Sequence, residues 1–252
     1  MTMKAIYSLT LMFASVALLL TSLPAHAAIT DDRIESSAKK SYVFKTYLTA
    51  DDITIQSKDG VVTLTGTVSE ESHKSLAQET VAGLPGVKSV DNKLEVKGER
   101  PVENSDAWLT AKVKTMLLFH RNVSAVTEVN TTGGIVTLQG KATSQAQKDL
   151  TTEYAKDVEG VKDVINEMTI AKTSKKAQTA VGKIDDASIT ALVKMTLLYH
   201  RSTSALNTKV TTSNGVVTLS GKASNAVEKD LATKFAKDVN GVKSVKNQMT
   251  IG

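Results

Sequence analysis

The sequence predicts an α+β protein of three tandem αββαβ domains, each with two helices packed on one face of a small three-stranded mixed sheet. Three observations carry this. The phrases "DGVVTLTG", "GGIVTLQG" and "NGVVTLSG" recur along the chain, starting at Asp59, Gly133 and Asn214. Their glycines Gly60, Gly134 and Gly215 are each followed by a second, at Gly66, Gly140 and Gly221, and by a third, at Gly86, Gly160 and Gly241. Between these fixed points the apolar period switches from helical to alternating and back in one repeated order.

Each unit opens with a helix. In "SDAWLTAKVKTMLLFHR" Leu109, Val113, Met116 and Leu117 recur at helical spacing, as do Ile189, Val193 and Leu197 in "DDASITALVKMTLLYHR". Asp106 and Asp186 are expected as N-caps, and His120 and His200 as cap or surface residues in the last turn. The first copy keeps Ile34, Ala38 and Tyr42 in a more polar setting, so its helix is expected to be the weakest. A hairpin follows, turning at Asp59-Gly60, Gly133-Gly134 and Asn214-Gly215, pairs that tolerate positive φ in a tight turn. Val62 and Leu64 then share one face of a strand.

A second helix carries the stripe Ala146, Leu150, Tyr154 and Val158, matched by Val227, Leu231, Phe235 and Val239. A glycine ends each helix. The segments "VKSVDNKLEV", "VKDVINEMTI" and "VKSVKNQMTI" close the units as strands, with Asn92, Asn166 and Asn247 in phase with the apolar positions and expected to satisfy backbone groups at a bend. A strand, a helix and a returning strand imply a crossover. The expected boundaries are a signal peptide over 1–27, domains over 28–98, 105–171 and 185–252, and linkers over 99–104 and 172–184. The second linker is Lys-rich, so the third domain is expected to be the more loosely tethered.

The leader has Lys4, an apolar run from Leu9 to Leu20 and the small residues Ala25 and Ala27. That is the layout of a cleaved secretory signal, so the mature chain is expected in the periplasm with no transmembrane span. Cysteine is absent, which removes thiolate chemistry and Cys-ligated metals. The formal net charge of +5 is mild; it suits anionic surfaces and lacks the dense basic stripe nucleic acid requires.

The hairpin phrases, the "EGVKDV" and "NGVKSV" segments and the V-x-N-x-L/M-x-V/I endings resemble the BON (bacterial OsmY and nodulation) family over almost all of the chain beyond the leader. The whole is similar to that family's OsmY-like periplasmic members, with a third copy. The resemblance implies the αββαβ fold and a non-enzymatic envelope protein linked to osmotic or envelope stress and to phospholipid surfaces.

The residues agree with a non-catalytic reading. His73 has no counterpart in the other copies, and no His or carboxylate completes a metal pair with His120 or His200. Asp149 and Asp230, like Asp157 and Asp238, recur in two copies beside lysines and read as surface ion pairs. No catalytic residue, metal or cofactor is expected. Trp108, the single tryptophan, is a candidate interfacial anchor, with Leu109, Lys112 and Lys114 as further lipid contacts. The helix "SDAWLTAKVKTML" is similar to the one through which phospholipid-associating family members meet membranes. The alternative is a chaperone-like scaffold capturing envelope proteins multivalently.

Overall fold

The computed structural model describes residues 23–98, 101–123, 127–171, 183–203 and 208–252. Most of the expected leader, and most of the second linker, lie outside the described residues. No described helix is long and apolar enough to cross a membrane.

The first unit runs α1 (Leu23–Lys40), α2 (Tyr42–Thr46), β1 (Asp52–Lys58), β2 (Val61–Val68), α3 (Glu71–Ala82) and β3 (Ser89–Val96). β2 lies central, antiparallel to β1 and parallel to β3. Val62, Leu64 and Val68 face the helices and are fully buried. The second unit is α4 (Asp106–Phe119), β4 (Glu128–Thr132), β5 (Ile135–Gln139), β6 (Lys141–Ala142), α5 (Gln145–Lys156), β7 (Asp163–Asn166) and β8 (Thr169–Ile170). The third is α6 (Asp186–Tyr199), β9 (Thr208–Ser213), β10 (Val216–Ala223), α7 (Ala226–Asp238), β11 (Ser244–Asn247) and β12 (Thr250–Ile251). Both repeat the antiparallel hairpin and parallel return. The expected strand-turn and crossover pattern therefore holds in all three copies.

The hairpin turn is held by a carboxylate on the first helix. Asp106 accepts hydrogen bonds from the N–H groups of Gly133 and Gly134, both at 2.8 Å. Asp186 does the same for Asn214 at 2.7 Å and Gly215 at 2.8 Å, and Asp31 for Asp59 and Gly60. This corrects the expected caps. Ser105 and Asp185 are the N-caps, and the next residue, already helical, is free to reach across to the turn. Gly60, Gly134 and Gly215 have φ of 80°, 84° and 79°, which an L side chain adopts only at a cost.

Asn92, Asn166 and Asn247 act as a second repeated clasp. In each, Oδ1 accepts from the N–H two residues on, at 3.1, 2.9 and 2.9 Å. Nδ2 donates to a carbonyl of the second helix, from Lys74, Lys148 or Lys229. The side chain ties the last strand to the helix above it and satisfies backbone groups where the strand bends.

The first helix breaks at Ser41, whose Oγ donates to the Ala38 carbonyl and caps α2. The break frees N–H groups for the third unit: Tyr42 donates to Asp185 Oδ2 at 2.8 Å and Val43 to Ser188 Oγ at 3.1 Å. Gly83 sits against Ala187, and Lys194 pairs with Glu79 at 2.6 Å. Every residue of α6 from Ala187 to Val193 is buried, because α3 and α4 both pack on it. The expected loose tethering of the third domain is thus overturned: its first helix lies at the centre of the assembly.

Candidate functional site

Two places bring functional side chains together. The first is the N-terminal half of α4. Trp108 is partly buried against the core, and Lys112, one turn on, lays its ammonium 4.3 Å from the indole centroid, within cation–π range. Tyr199 flanks the same ammonium at 5.7 Å. Burial lowers the Lys112 pKa, against the opposing pull of Glu159 and Glu103. Leu109 is 1% exposed and points into its own domain, so a lipid contact there is ruled out without unfolding the helix end. Lys114 is exposed beside β4, near Glu128 and Asn130. Two residues from Lys112, it lies about 200° round the helix, so the expected cluster is divided between two faces.

The equivalent face of α6 shows why α2 does not pack on this one as it does there. Ser188 stands where α4 has Trp108, and Leu192 where α4 has Lys112. On α6 the small residues Ala187 and Ser188 admit α2 and the end of α3 at close range. An indole and an ammonium stem in those places bar the same approach.

The second place is the junction of the second and third units, where His120 and His200 meet. Both were expected as cap or surface residues, yet they are 3% and 1% exposed. The reason is a reciprocal contact. Arg121 N–H donates to the Asp238 carbonyl and Arg201 N–H to the Asp157 carbonyl, each at 2.9 Å. Single β-bridges join His120 to Val239 and Val158 to His200. The same patch on each copy meets its counterpart, the pattern of a twofold interface within one chain. Asp157 and Asp238, expected as surface ion pairs, are instead drawn into this junction.

The side chains break the symmetry. His120 and His200 approach Nε2 to Nε2 at 3.3 Å. His200 Nδ1 meets Asp157 Oδ2 at 2.9 Å, and Ser202 Oγ also donates to Asp157. Tyr154 stacks on His120 and donates its hydroxyl to Asp238 Oδ2 at 2.8 Å. Phe235, its counterpart, stacks on His200 and has no hydroxyl to donate. With Tyr154 and Asn122 on Asp238, His120 Nδ1 is left 3.3 Å from Oδ2, near enough for attraction but without a hydrogen-bond partner. Burial lowers the His120 pKa, with Asp238 opposing and His200 reinforcing. Burial raises that of Asp157, but bonds from His200 and Ser202 and the charge of Arg201 outweigh it and hold the carboxyl low. Arg121 Nη2 closes the junction on the carbonyls of Lys237, Val239 and Val242.

Sequence reasoning missed this cluster. The available signal was that His-Arg after the first helix and Asp at the end of the second recur in the last two copies and not in the first. No cluster of three or more potential metal ligands occurs among the described residues.

Three copies of one α/β unit, joined through helix faces and a pseudo-twofold junction, define a tandem-repeat α+β protein. The BON domain model matches residues 30–98, 105–172 and 185–252, and the chain belongs to the BON-domain family. It is 37% identical over 145 residues to Osmotically-inducible protein Y of Escherichia coli (strain K12), covering 57% of this chain and 71% of that protein. It is 32% identical over 160 residues to Outer membrane lipoprotein DolP of Haemophilus influenzae, covering 64% of this chain and 74% of the relative. These relatives support a family of envelope and osmotic-stress proteins.

Proposed function

We propose that this chain is a non-catalytic periplasmic protein that associates with anionic phospholipid surfaces through the Trp108 end of α4 and supports the envelope under osmotic stress. The observation that carries the reading is the unequal fate of two equivalent helix faces. The α6 face is covered by the first domain, whereas the α4 face keeps an amphipathic indole beside a cation. Indole sits well between headgroups and acyl chains, and a neighbouring ammonium adds attraction to anionic lipid. Val102, 78% exposed in the segment leading into α4, adds apolar surface at the same end. The names of the two relatives, one osmotically inducible and one an outer membrane lipoprotein, agree with an envelope setting.

The test is Trp108 fluorescence with vesicles containing phosphatidylglycerol. Binding is expected to shift the emission to the blue and to weaken with salt, as screening predicts. Trp108→Ser, which installs the residue of the third copy, is expected to abolish co-sedimentation while leaving circular dichroism unchanged. An unshifted emission spectrum would overturn the proposal. Suppression of client aggregation that ignores both salt and this substitution would support the chaperone-like alternative.

A further inference from the structure

The buried histidine pair has no part in the lipid reading, and its geometry admits few proton arrangements. We propose that His120 and His200 form a proton-binding latch between the second and third domains, closed while one proton lies between their Nε2 atoms and opened when acid places a proton on both.

The assignment follows from the contacts. Asp157 accepts from His200 Nδ1, so a neutral His200 presents a bare Nε2. His120 must then supply the Nε2–H that closes the 3.3 Å contact. That leaves His120 Nδ1 bare if the ring is neutral, and it has no hydrogen-bond partner. Tyr154 already donates its hydroxyl to Asp238 Oδ2. Every nitrogen in the pair is accounted for with two protons on the two rings.

A third proton can be taken at His120 Nδ1, facing Asp238 at 3.3 Å. A fourth has only one place left, His200 Nε2, where it meets the His120 N–H head-on. The ring centroids are 5.5 Å apart, so the two nitrogens point along the line joining the rings and neither can turn aside. The remaining groups around the pair do not relieve the conflict. From α5 come Tyr154 and Asp157, and from α7 Phe235 and Asp238. The Arg121 guanidinium is held by three carbonyls, and Arg201 lies 3.6 Å from Asp157. Both carboxylates already serve other donors. Two like charges at hydrogen-bond distance on two buried rings drive the surfaces apart.

The backbone contacts of this junction are made at these same residues, so separating the rings opens the junction about the remaining packing of α4 on α6. The fourth proton escapes this clash only when the junction is open. The closed fraction therefore falls as pH drops below the free imidazole range of about 6.5. One or two protons taken up on opening give roughly a ten- to hundredfold fall in the closed-to-open ratio per pH unit.

The chain contains no cysteine, so single dye-labelled cysteines at the exposed, equivalent positions Lys141 and Lys222 report the distance between the two domains in the full chain. Without vesicles present, the distance is expected to be constant above about pH 7 and to lengthen reversibly towards about pH 5. His120→Phe keeps a ring to stack on Tyr154 and cannot take a proton; its distance is expected to stay constant over that range. His200→Gln serves if His120→Phe does not fold. A wild-type distance unchanged down to about pH 5 overturns the latch, and so does a folded variant that opens at the wild-type pH. Vesicle binding plays no part in this measurement, so its failure would leave the lipid reading untouched.

Discussion

Replacing Asn166 by alanine removes three hydrogen bonds from the second domain: Nδ2 to the Lys148 carbonyl at 2.9 Å, Nδ2 to Thr152 Oγ1 at 2.8 Å, and Met168 N–H to Oδ1 at 2.9 Å. The Lys148 and Thr152 groups keep other options in the helix. Met168 N–H does not, because its side chain is 1% exposed and the strand is broken at that point. Net losses of about 1 kcal/mol per bond, with one donor stranded, amount to about 2–3 kcal/mol. Asn166→Asp retains the acceptor for Met168 but turns a carboxylate oxygen towards the Lys148 carbonyl, so it is expected to cost at least as much as alanine. Trp108, the single tryptophan, lies in this domain and reports its unfolding locally, which avoids treating three domains as one transition. With a urea slope near 1 kcal/mol per molar for a domain this small, the midpoint is expected to fall by about 2–3 M. A shift corresponding to less than about 0.5 kcal/mol for alanine, or an aspartate variant as stable as wild type, would refute the clasp.

Arg121→Ala, which strips the donor to three carbonyls of the third domain, is expected to leave each fold intact but to separate the thermal transitions of the second and third domains in calorimetry. Gly66→Ala places a Cβ about 2.0 Å from the Asp52 carbonyl at a φ of +116°; a loss of at least ~3 kcal/mol should make the first domain sensitive to protease under native conditions. Asp157 has a lowered pKa in the folded chain, so the unfolded chain binds more protons as pH falls through the ordinary aspartate range. The stability it contributes is present above about pH 4 and lost below it. In the His120→Phe background, whose junction is expected to stay closed in acid, Asp157→Asn is expected to flatten that acid limb of the denaturation curve.

The repeat, the order of elements and most of the inward faces were legible in the chain because they depend on local physics, although Ala146 and Val227, expected to start the second-helix stripes, are exposed. Glycine tolerates positive φ, alternation of apolar residues suits a half-buried strand, and a 3.6-residue period suits a helix with one covered face. The asparagines in phase with the apolar positions were read correctly for the same reason, since their partners are backbone groups of the same domain. The reading of the first-turn aspartates went astray by one residue. Both Ser105 and Asp106 are suitable cap types, and only the proximity of the hairpin turn decides which of them caps and which reaches across.

What one domain does to another was not legible. His120, His200, Asp157 and Asp238 look like ordinary surface residues within a single copy, and become a buried cluster only when two copies face each other. Trp108 and Ser188 hold equivalent places in the sequence, yet Trp108 is half-buried and Ser188 fully covered. The sequence determined the three folds, because each is closed by contacts near in the chain and repeated in every copy. Tertiary structure alone decided the junctions, because residues such as His120 and His200 pair across about 80 positions through a symmetry that no local period encodes.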